Sequence, residues 1–518
     1  MLTHIEFGNV TLVHNGIIEN YLDLKEFLIT KGYSFKSQTD TVIACAYIDY
    51  MLKLGSSSSK FEVIKKACEG FRGSYAFAVI FDDEPESIYV TRKDSPLVIG
   101  TSDEGNFAAS DVSAILDYTN KYIQLEANEY GKITNSNFEV VNSDLEVIDK
   151  EILVADWAKA EYDKNGFEHF MLKEINEQPL VIFNLYERYL KNEDTLKDMD
   201  FSKYDNIHIV ACGSAMHAGL VGKYLIENYA KIPVTVEVAS EYRYKNMLAN
   251  DKTLVIIISQ SGETADSIAA LRMAKENGIS VLGIVNVIGS TIARESDILL
   301  YSYAGPEIAV ATTKGYTSQV ALLSMIALKL AKNSINEDMK QNIINDMLDS
   351  YKNIKSVLAK SDEAKDIASI IYNKNDLFFI GRGIDYTTSL EGSLKLKEIS
   401  YLHSEAYAAG ELKHGTISLI EQDTPVIAIA TDKNLVEKTI SNIKETKARG
   451  AYVIYITTKE LDTNGDFYDK KIVLPSSSMF TMPLTTVTML QLISYYTAKN
   501  KGCDIDKPKN LAKSVTVE

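Results

Sequence analysis

The sequence lacks any uninterrupted apolar run of about 18 residues, the length a membrane-spanning helix requires, so no span is expected. Its first residues, MLTHIEFGN, have neither the basic nor the apolar region of a signal peptide. Cysteine is scarce: Cys45, Cys68, Cys212 and Cys503 stand far apart and form no C-x-x-C pair. A zinc site does not fit that spacing, no metal is expected, and a reducing, cytoplasmic setting is. No basic block of five or more residues occurs, and 54 Lys and Arg against 71 Asp and Glu leave a formal net charge of −17. That excludes a broad nucleic-acid-binding face. It does not exclude an anionic small substrate, because a local site can be positive inside an acidic chain. Low complexity is confined to GSSSSK at 55–60, which reads as a flexible loop.

What is present is ordinary for a globular chain. The 518 residues suffice for about three or four domains, with 46% hydrophobic and 24% charged residues. Residues 1–150 hold short β-like runs such as GNVTLV, SYAFAVIF and PLVIG, with two helical segments near 20–31 and 41–54. An α+β layered domain on antiparallel strands is expected there. Residues 151–200, with EHFMLKEINEQPLVIFNLYERYL, carry apolar residues at helical spacing and many charges, which predicts a helical linker.

From residue 201 strands alternate with helices: NIHIVACGS, then AMHAGLVGKYLIENYA, then TLVIIISQSGE, then TADSIAALRMAKENG. That order predicts a doubly wound parallel sheet over 201–340. A helical connector at 341–365 leads to a second copy over 366–505, where DLFFIGRG, TPVIAIATD and AYVIYITT repeat the pattern. About 160 residues separate the copies, too many for a solenoid, so the pattern is a domain duplication. The tail at 506–518 has no periodicity and by itself reads as disordered.

Two stretches carry chemistry. In VIIISQSGETADS (255–267), Ser259, Gln260, Ser261 and Thr264 sit where a buried strand hands over to a helix. Ligands of open α/β sheets bind at such carboxyl ends, and hydroxyls beside a helix N-terminus suit a phosphate. The P-loop Lys and the G-x-G-x-x-G of dinucleotide folds are missing, so no nucleotide cofactor is implied. VACGSAMHAG (210–219), with Gly213 and Ser214, and EIAVATTKGYTSQ (307–319), with Val310, Thr312 and Thr313, have the same strand-to-helix shape. In the second copy Glu391, Lys395 and Glu398 share one helix face. On a surface helix that is a solvated stripe, but a carboxylate facing a ligand cleft can move a proton next to a carbonyl. His414 lies between glycines in GELKHG, a plausible acid–base position for a side chain that is otherwise structural. Near the start, VHNGIIENY places Asn15 and Gly16 directly after an apolar run. That is a turn signal, or else a pair of oxyanion donors.

SQSGETADS, LEGSLKLKEISYLHSEAYAAGELKHG and KPKNLAKSVTVE resemble the glutamine–fructose-6-phosphate aminotransferase (isomerising) family closely. So do HNGIIENY, SQTDT and SPLVIGTSDEGNFAASD, and the likeness runs from residue 1 to residue 518. The resemblance implies an incomplete glutaminase layer of the N-terminal-nucleophile type followed by two α/β sugar-isomerase (SIS) domains. It implies fructose 6-phosphate as substrate, glutamine or ammonia as nitrogen donor, no cofactor, and a homodimer. Ser259, Gln260, Ser261 and Thr264 are expected to hold the sugar phosphate, with Ser214 or Ala215, Val310 and Ala512 lining the pocket.

By the same resemblance Lys513 forms a Schiff base with C2 of the open-chain sugar. Glu398 carries the proton between C1 and C2 beside Lys395, and His414 of a neighbouring subunit assists ring opening. A lysine imine acidifies the C1 proton that Glu398 must take. This replaces the disordered tail with a catalytic one. Asn15 and Gly16 become the oxyanion hole of glutamine hydrolysis, and Asp40 the holder of the glutamine amino group. The family's nucleophilic N-terminal Cys, a carboxylate-binding Arg and a gating Trp precede these motifs. The chain is therefore expected to lack that segment and to have lost glutamine use. The family also reads T-D-T-E-V-I where this chain has TDTVIACAY. The alternatives are a sugar-phosphate isomerase, an ammonia-dependent variant, and a SIS regulator that binds a sugar phosphate and catalyses nothing. A pure binder needs none of Glu398, Lys395 and Lys513.

Overall fold

A computed structural model of the chain describes residues 5–55, 59–154, 163–192, 196 and 199–515. The loop expected at GSSSSK falls mainly on Ser56, Ser57 and Ser58, outside the described residues. The chain forms two compact units: Met1–Ala160 with Glu263–Ala265 and Ser514–Glu518, and Glu161–Gly262 with Asp266–Lys513.

The first unit is built on antiparallel strands. Its strands are β1 (Ile5–Phe7), β2 (Val10–Ile18), β3 (Gly73–Phe81), β4 (Ile88–Lys93), β5 (Val98–Ser102), β6 (Gly105–Ala109), β7 (Lys121–Gln124), β8 (Tyr130–Ile133), β9 (Phe138–Val141) and β10 (Leu153–Val154). They make a six-stranded sheet, β1-β2-β3-β4-β8-β9, and a four-stranded sheet, β10-β7-β5-β6. Val90, Ile99, Ile123, Ile133 and Val140 fill the space between the sheets. Helices α1 (Tyr21–Thr30), α2 (Asp40–Leu54) and α3 (Lys60–Glu69) cover the other face through Leu28, Ile43, Ile48 and Ile64, against Leu12, Phe77 and Val79 of the large sheet. Alternate side chains of one strand thus serve two different cores, which is the period-2 pattern of SYAFAVIF put to use.

The turn expected at Asn15-Gly16 does not form. β2 runs straight through it, with Asn15 opposite Ala76 and Gly16 opposite Tyr75. Gly16 sits at φ +135, and a Cβ there would lie 2.1 Å from the Ser74 carbonyl oxygen. The glycine is required by a close strand-to-strand approach rather than by a reversal of the chain.

The second unit holds two parallel sheets. β11 (Asn206–Ala211), β12 (Val234–Val238), β13 (Thr253–Ser259), β14 (Ser280–Val285) and β15 (Ile298–Tyr301) pair in the order β12-β11-β13-β14-β15. β16 (Asp376–Gly381), β17 (His403–Ala408), β18 (Pro425–Ala430), β19 (Tyr452–Thr458) and β20 (Lys470–Leu474) repeat it as β17-β16-β18-β19-β20. Within each sheet this is the 2-1-3-4-5 order, whose switch point lies between the first and third strands. The central strand β13 is buried at every residue, as a sheet covered on both faces demands.

The helical linker expected at 151–200 is helical over 170–192 but not at its start. Residues 153–154 are strand β10, paired with β7 in the first unit. In the second unit α4 (Phe170–Glu187) and its wider final turn, Arg188–Asn192, are helical. Residues 155–162, 193–195 and 197–198 lie outside the described residues. α4 does more than connect. Met171 and Ile175 join the core of the second parallel-sheet copy, while Ile182, Leu185 and Tyr186 join that of the first. One helix therefore staples two hydrophobic cores, its N-terminal half in one and its C-terminal half in the other. The remaining helices that position the site are α5 (Gly213–Leu225), α6 (Ala265–Glu276), α7 (Lys314–Leu330), α8 (Glu337–Leu358), α9 (Ser361–Ile371), α10 (Ile384–Ser400), α11 (Val436–Lys447) and α12 (Met482–Asn500).

The tail is ordered where it is described. Both Asp506 carboxylate oxygens accept the first N–H groups of α4, from Phe170 and Met171, at 2.9 and 3.0 Å. The Asp506 carbonyl accepts the Val310 N–H at 3.0 Å, and Ile505 is buried. The absence of periodicity misleads here because the segment is held by polar anchors to backbone groups, which leave no hydrophobic pattern.

Candidate functional site

At the switch point of the first parallel sheet, β11 leads into Gly213 and Ser214 and β13 leads into Ser259, Gln260 and Ser261. The second of these turns is tight. Ser259 Oγ accepts the Gly262 N–H at 3.0 Å, and Gly262 takes φ +69. A Cβ on Gly262 would meet Ser290 Oγ at 2.0 Å. The SQSG sequence is thus set by its own turn chemistry, with Gln260 and Ser261 half-exposed at its rim. Thr264 directly precedes α6.

α10 supplies the charged face. Its Glu391, Lys395 and Glu398 share one side, but this is no solvated stripe: Glu391 and Lys395 are fully buried. Lys395 Nζ lies 2.5 Å from Glu398 Oε2 and 3.5 Å from Glu391 Oε1. The closer contact lacks the angle of a directed hydrogen bond. Burial works against the Lys395 ammonium, yet Glu398 and Glu391 outweigh it and raise its pKa. Glu391 in turn reaches α5 of the first copy. Ser214 Oγ donates to its Oε1 at 2.8 Å, and His217 Nδ1 lies 2.9 Å from its Oε2. Ser214 is therefore buried against a carboxylate, and Ala215 is the half-exposed neighbour.

The tail brings in the second lysine. Lys513 Nζ donates to Glu307 Oε2 at 2.6 Å and to the Ala309 carbonyl at 2.9 Å. Glu307 also accepts from Thr312 Oγ1 at 2.6 Å and from the N–H groups of Thr313 and Gly315, at the start of α7, at 2.8 and 3.0 Å. A Cβ on Gly315 would lie 3.0 Å from Glu307 Oε2 and 3.2 Å from Gln260 Cγ, so Gln260 and the carboxylate that holds Lys513 share one wall. The Glu307 charge is felt at Lys395 as well. Ser214, Lys395 and Glu398 thus gather about Glu391, Gln260 and Lys513 about Glu307, and Val310 is tied to the tail at Asp506, all within the second unit. His414 stands apart on a short exposed turn, Leu412–His414. Ala512 is exposed beside Lys513.

In the first unit, Asp40 Oδ2 accepts the Ile18 N–H at 2.9 Å and Oδ1 accepts the Thr41 N–H at 2.8 Å. Asn15 Nδ2 donates to Ser110 Oγ at 3.2 Å. The C-terminal half of β2 and the start of α2 thereby meet, and Asp40 performs this without the acidic residue that the family carries after TDT. His14, which the sequence did not single out, lies 3.1 Å from Thr41 Oγ1. Burial lowers its pKa, against the charge of Asp40. The thiols of Cys45 and Cys68 are both pushed up to about 12, first of all by burial. Neither is a nucleophile in this fold. Among the described residues no cluster of His, Cys, Asp and Glu could hold a metal ion, and no helix is long and apolar enough to cross a membrane.

Sequence reasoning missed three further residues: His217, Glu174 and Glu307. A lone carboxylate amid GPEIAVATTKG was the available signal for Glu307, since an acid in an apolar loop must find donors.

A SIS domain model matches residues 200–329 and 370–500, and a glutamine amidotransferase domain model matches residues 1–117. The glutamine–fructose-6-phosphate aminotransferase (isomerising) of Caldanaerobacter subterraneus subsp. tengcongensis is 46% identical over 522 residues, 99% of this chain and 85% of the relative. The chain belongs to this aminotransferase family. Its relative of the same name in Thermococcus kodakarensis is 44% identical over 517 residues, again 99% of this chain and 85% of the relative. The solved C-terminal domain of glucosamine-fructose-6-phosphate aminotransferase from Francisella tularensis is 39% identical, with a TM-score of 0.64 over 67% of this chain and all of that one. As a member of the aminotransferase family the chain is a transferase. The expected loss of an N-terminal segment and of glutamine use finds no support in these alignments. The amidotransferase model takes in residues 1–117, which argues against a disabled glutaminase half.

Proposed function

We propose that the chain converts fructose 6-phosphate and glutamine into glucosamine 6-phosphate and glutamate, the first step of hexosamine synthesis. The observation that carries this is a pair of lysines of different character, each held by carboxylates: Lys395, buried against Glu398 and Glu391, and Lys513, delivered by the tail to Glu307. A protein that only bound sugar phosphates would have no use for either.

In this reading Gln260 and Ser261, with the Ser259 and Thr264 hydroxyls, take the phosphate at the switch point. Val310, Ala512 and Ala215 line the sugar. Lys513 attacks C2 of the open-chain ketose and leaves an imine, with the C2 oxygen departing as water. The imine withdraws electrons from C1, and Glu398 takes a C1 proton and returns it to C2. Lys395 pairs with the Glu398 carboxylate before the first transfer and after the second, while Glu398 is neutral in between. Ammonia released from glutamine displaces Lys513 at C2 before the first transfer, so that the proton shift runs on the ammonia-derived imine and leaves the amino group at C2 and the aldehyde at C1. His414 acts from the partner of a homodimer on the ring oxygen, in keeping with its exposed turn. The first unit serves as a glutaminase layer of the N-terminal-nucleophile type, in which Asn15 and Gly16 face the amide oxyanion and Asp40 the glutamine amino group. The antiparallel two-sheet layering and the Asp40 bridge between β2 and α2 support that assignment.

The test is product formation with glutamine and with ammonium as separate nitrogen donors, in wild type and Glu398→Gln. Glucosamine 6-phosphate from glutamine that disappears in folded Glu398→Gln is the expected result. Full synthesis by the variant overturns the role of Glu398. Isomerisation of the sugar with no amino product from either donor overturns the aminotransfer.

A further inference from the structure

Behind the Lys513–Glu307 pair lies a second buried carboxyl that the reaction does not use. Glu174, on α4, is 2% exposed. Its Oε1 accepts the N–H groups of Ile308 and Ala309 at 2.5 and 3.1 Å. Its Oε2 is buried and meets no hydrogen-bond partner. The nearby cations are already engaged: Lys314 by Glu177 at 2.7 Å, Lys173 by Glu177 at 3.6 Å, and Lys513 by Glu307. Glu307, by contrast, accepts from four donors. Two carboxyls of one pocket therefore differ in kind, since a buried carboxylate oxygen without a donor is costly and a protonated one is not.

We propose that Glu307 and Glu174 are positioning residues for Lys513. Glu307 is the single carboxylate that parks the tail amine where the sugar carbonyl will arrive, and Glu174 is a neutral carboxylic acid that keeps a second negative charge out of the same pocket. The titration directions agree. Burial and the Glu307 charge raise Glu174, to about 8. Glu307 is held down despite its burial by Lys513, Thr312 and the Thr313 N–H. The arrangement also suits the imine stage, because a protonated imine on Lys513 keeps one positive charge opposite one carboxylate. No proton need leave the pocket between the two states.

The inference takes from the proposed function only that Lys513 is the reacting amine, and the test separates the two. Trypsin must draw a lysine side chain into its own acidic pocket to cleave, so cutting after Lys513 reports how often the amine leaves Glu307. The bond after the exposed Lys509 serves as internal control. Substrate-free Glu307→Gln is expected to be cut after Lys513 about tenfold faster or more than wild type, as befits loss of a charge-assisted hydrogen bond. The Lys509 bond should keep its rate, and Glu307→Asp should restore part of the protection. Glu174→Gln, which replaces one neutral group by another, is expected to leave the cut after Lys513 within about twofold of wild type. An infrared difference spectrum between wild type and Glu174→Gln at neutral pH should show the carbonyl band of a protonated carboxylic acid. Equal cutting in wild type and Glu307→Gln overturns the anchor, and absence of that band overturns the neutral partner. If Glu307→Gln does not fold, Glu307→Asp reads the same pair, with cutting after Lys513 expected to rise above wild type while the Lys509 bond keeps its rate. Borohydride trapping with fructose 6-phosphate then judges the imine separately. Protection by Glu307 without a trapped adduct leaves the anchor standing and removes the Schiff-base role of Lys513.

Discussion

Lys395→Met removes the one cation between two carboxylates. With an effective dielectric near 20, contacts of 2.5 and 3.5 Å amount to gross attractions of about 7 and about 5 kcal/mol, set against several kcal/mol for desolvating the ammonium. The net cost of the truncation is smaller than the gross sum and comes mainly from the charge left behind, about 3–5 kcal/mol for a buried pair. The two carboxylates do not suffer equally. Glu391 keeps Ser214 and His217, whereas Glu398, 22% exposed at its side chain, keeps neither. The stranded charge is therefore that of Glu398, and Glu398→Gln in the same chain should recover about half the loss or more. Glu391→Gln should recover none, because it disturbs two satisfied partners. The assay is urea unfolding of the single and double variants, read as a double-mutant cycle. A cost below about 1 kcal/mol for Lys395→Met, or equal rescue by the two glutamines, would refute the reasoning. Synthase turnover should fall to background in every variant lacking Lys395.

Four further outcomes follow from the same geometry. Ser261→Ala is expected to weaken fructose 6-phosphate binding by about 1.5–3 kcal/mol in a titration, in line with a hydrogen bond to a charged group. Cys45 and Cys68 should resist iodoacetamide at pH 8 in the folded chain and react on denaturation, since burial pushes both thiols up to about 12; mass spectrometry of the two peptides decides. Glu174 has its folded pKa raised from 4.5 to about 8, so its contribution to stability is present at low pH and is lost as pH rises through about 8. Glu174→Gln should accordingly flatten the fall in melting temperature between about pH 5 and 8, and an unchanged slope would count against the raised value. Sedimentation at micromolar concentration should find a dimer, and a fully active monomer would exclude a partner's His414 from the site.

The sequence by itself determined the architecture. Runs such as TLVIIIS and PVIAIA are apolar at every position, and only a strand buried on both faces of a parallel sheet tolerates that. The duplication followed from their order, and the tight turn from SQSG, since a hydroxyl at the first position and a glycine at the fourth are its local demands. The charged triplet on α10 was legible too, because i, i+4 and i+7 share a helix face whatever surrounds them.

Burial was not legible, and burial decides what those charges do. Whether Glu391, Lys395 and Glu398 face water or one another depends on α5, some 170 residues earlier, supplying Ser214 and His217. The Asn15-Gly16 turn failed for the same reason. The local signal was genuine, but β3 pairs across it and needs the missing Cβ. The tail read as disordered because its anchors are an aspartate on the end of α4 and a lysine on Glu307, contacts that span 336 and 206 residues. Periodicity records which face of an element is apolar. It carries no record of a single long-range polar bond, and in this protein such bonds place Lys513 on Glu307 and set Glu174 apart from Glu307. Those placements belong to the tertiary structure, because a carboxyl takes its charge state from the donors that folding brings to it.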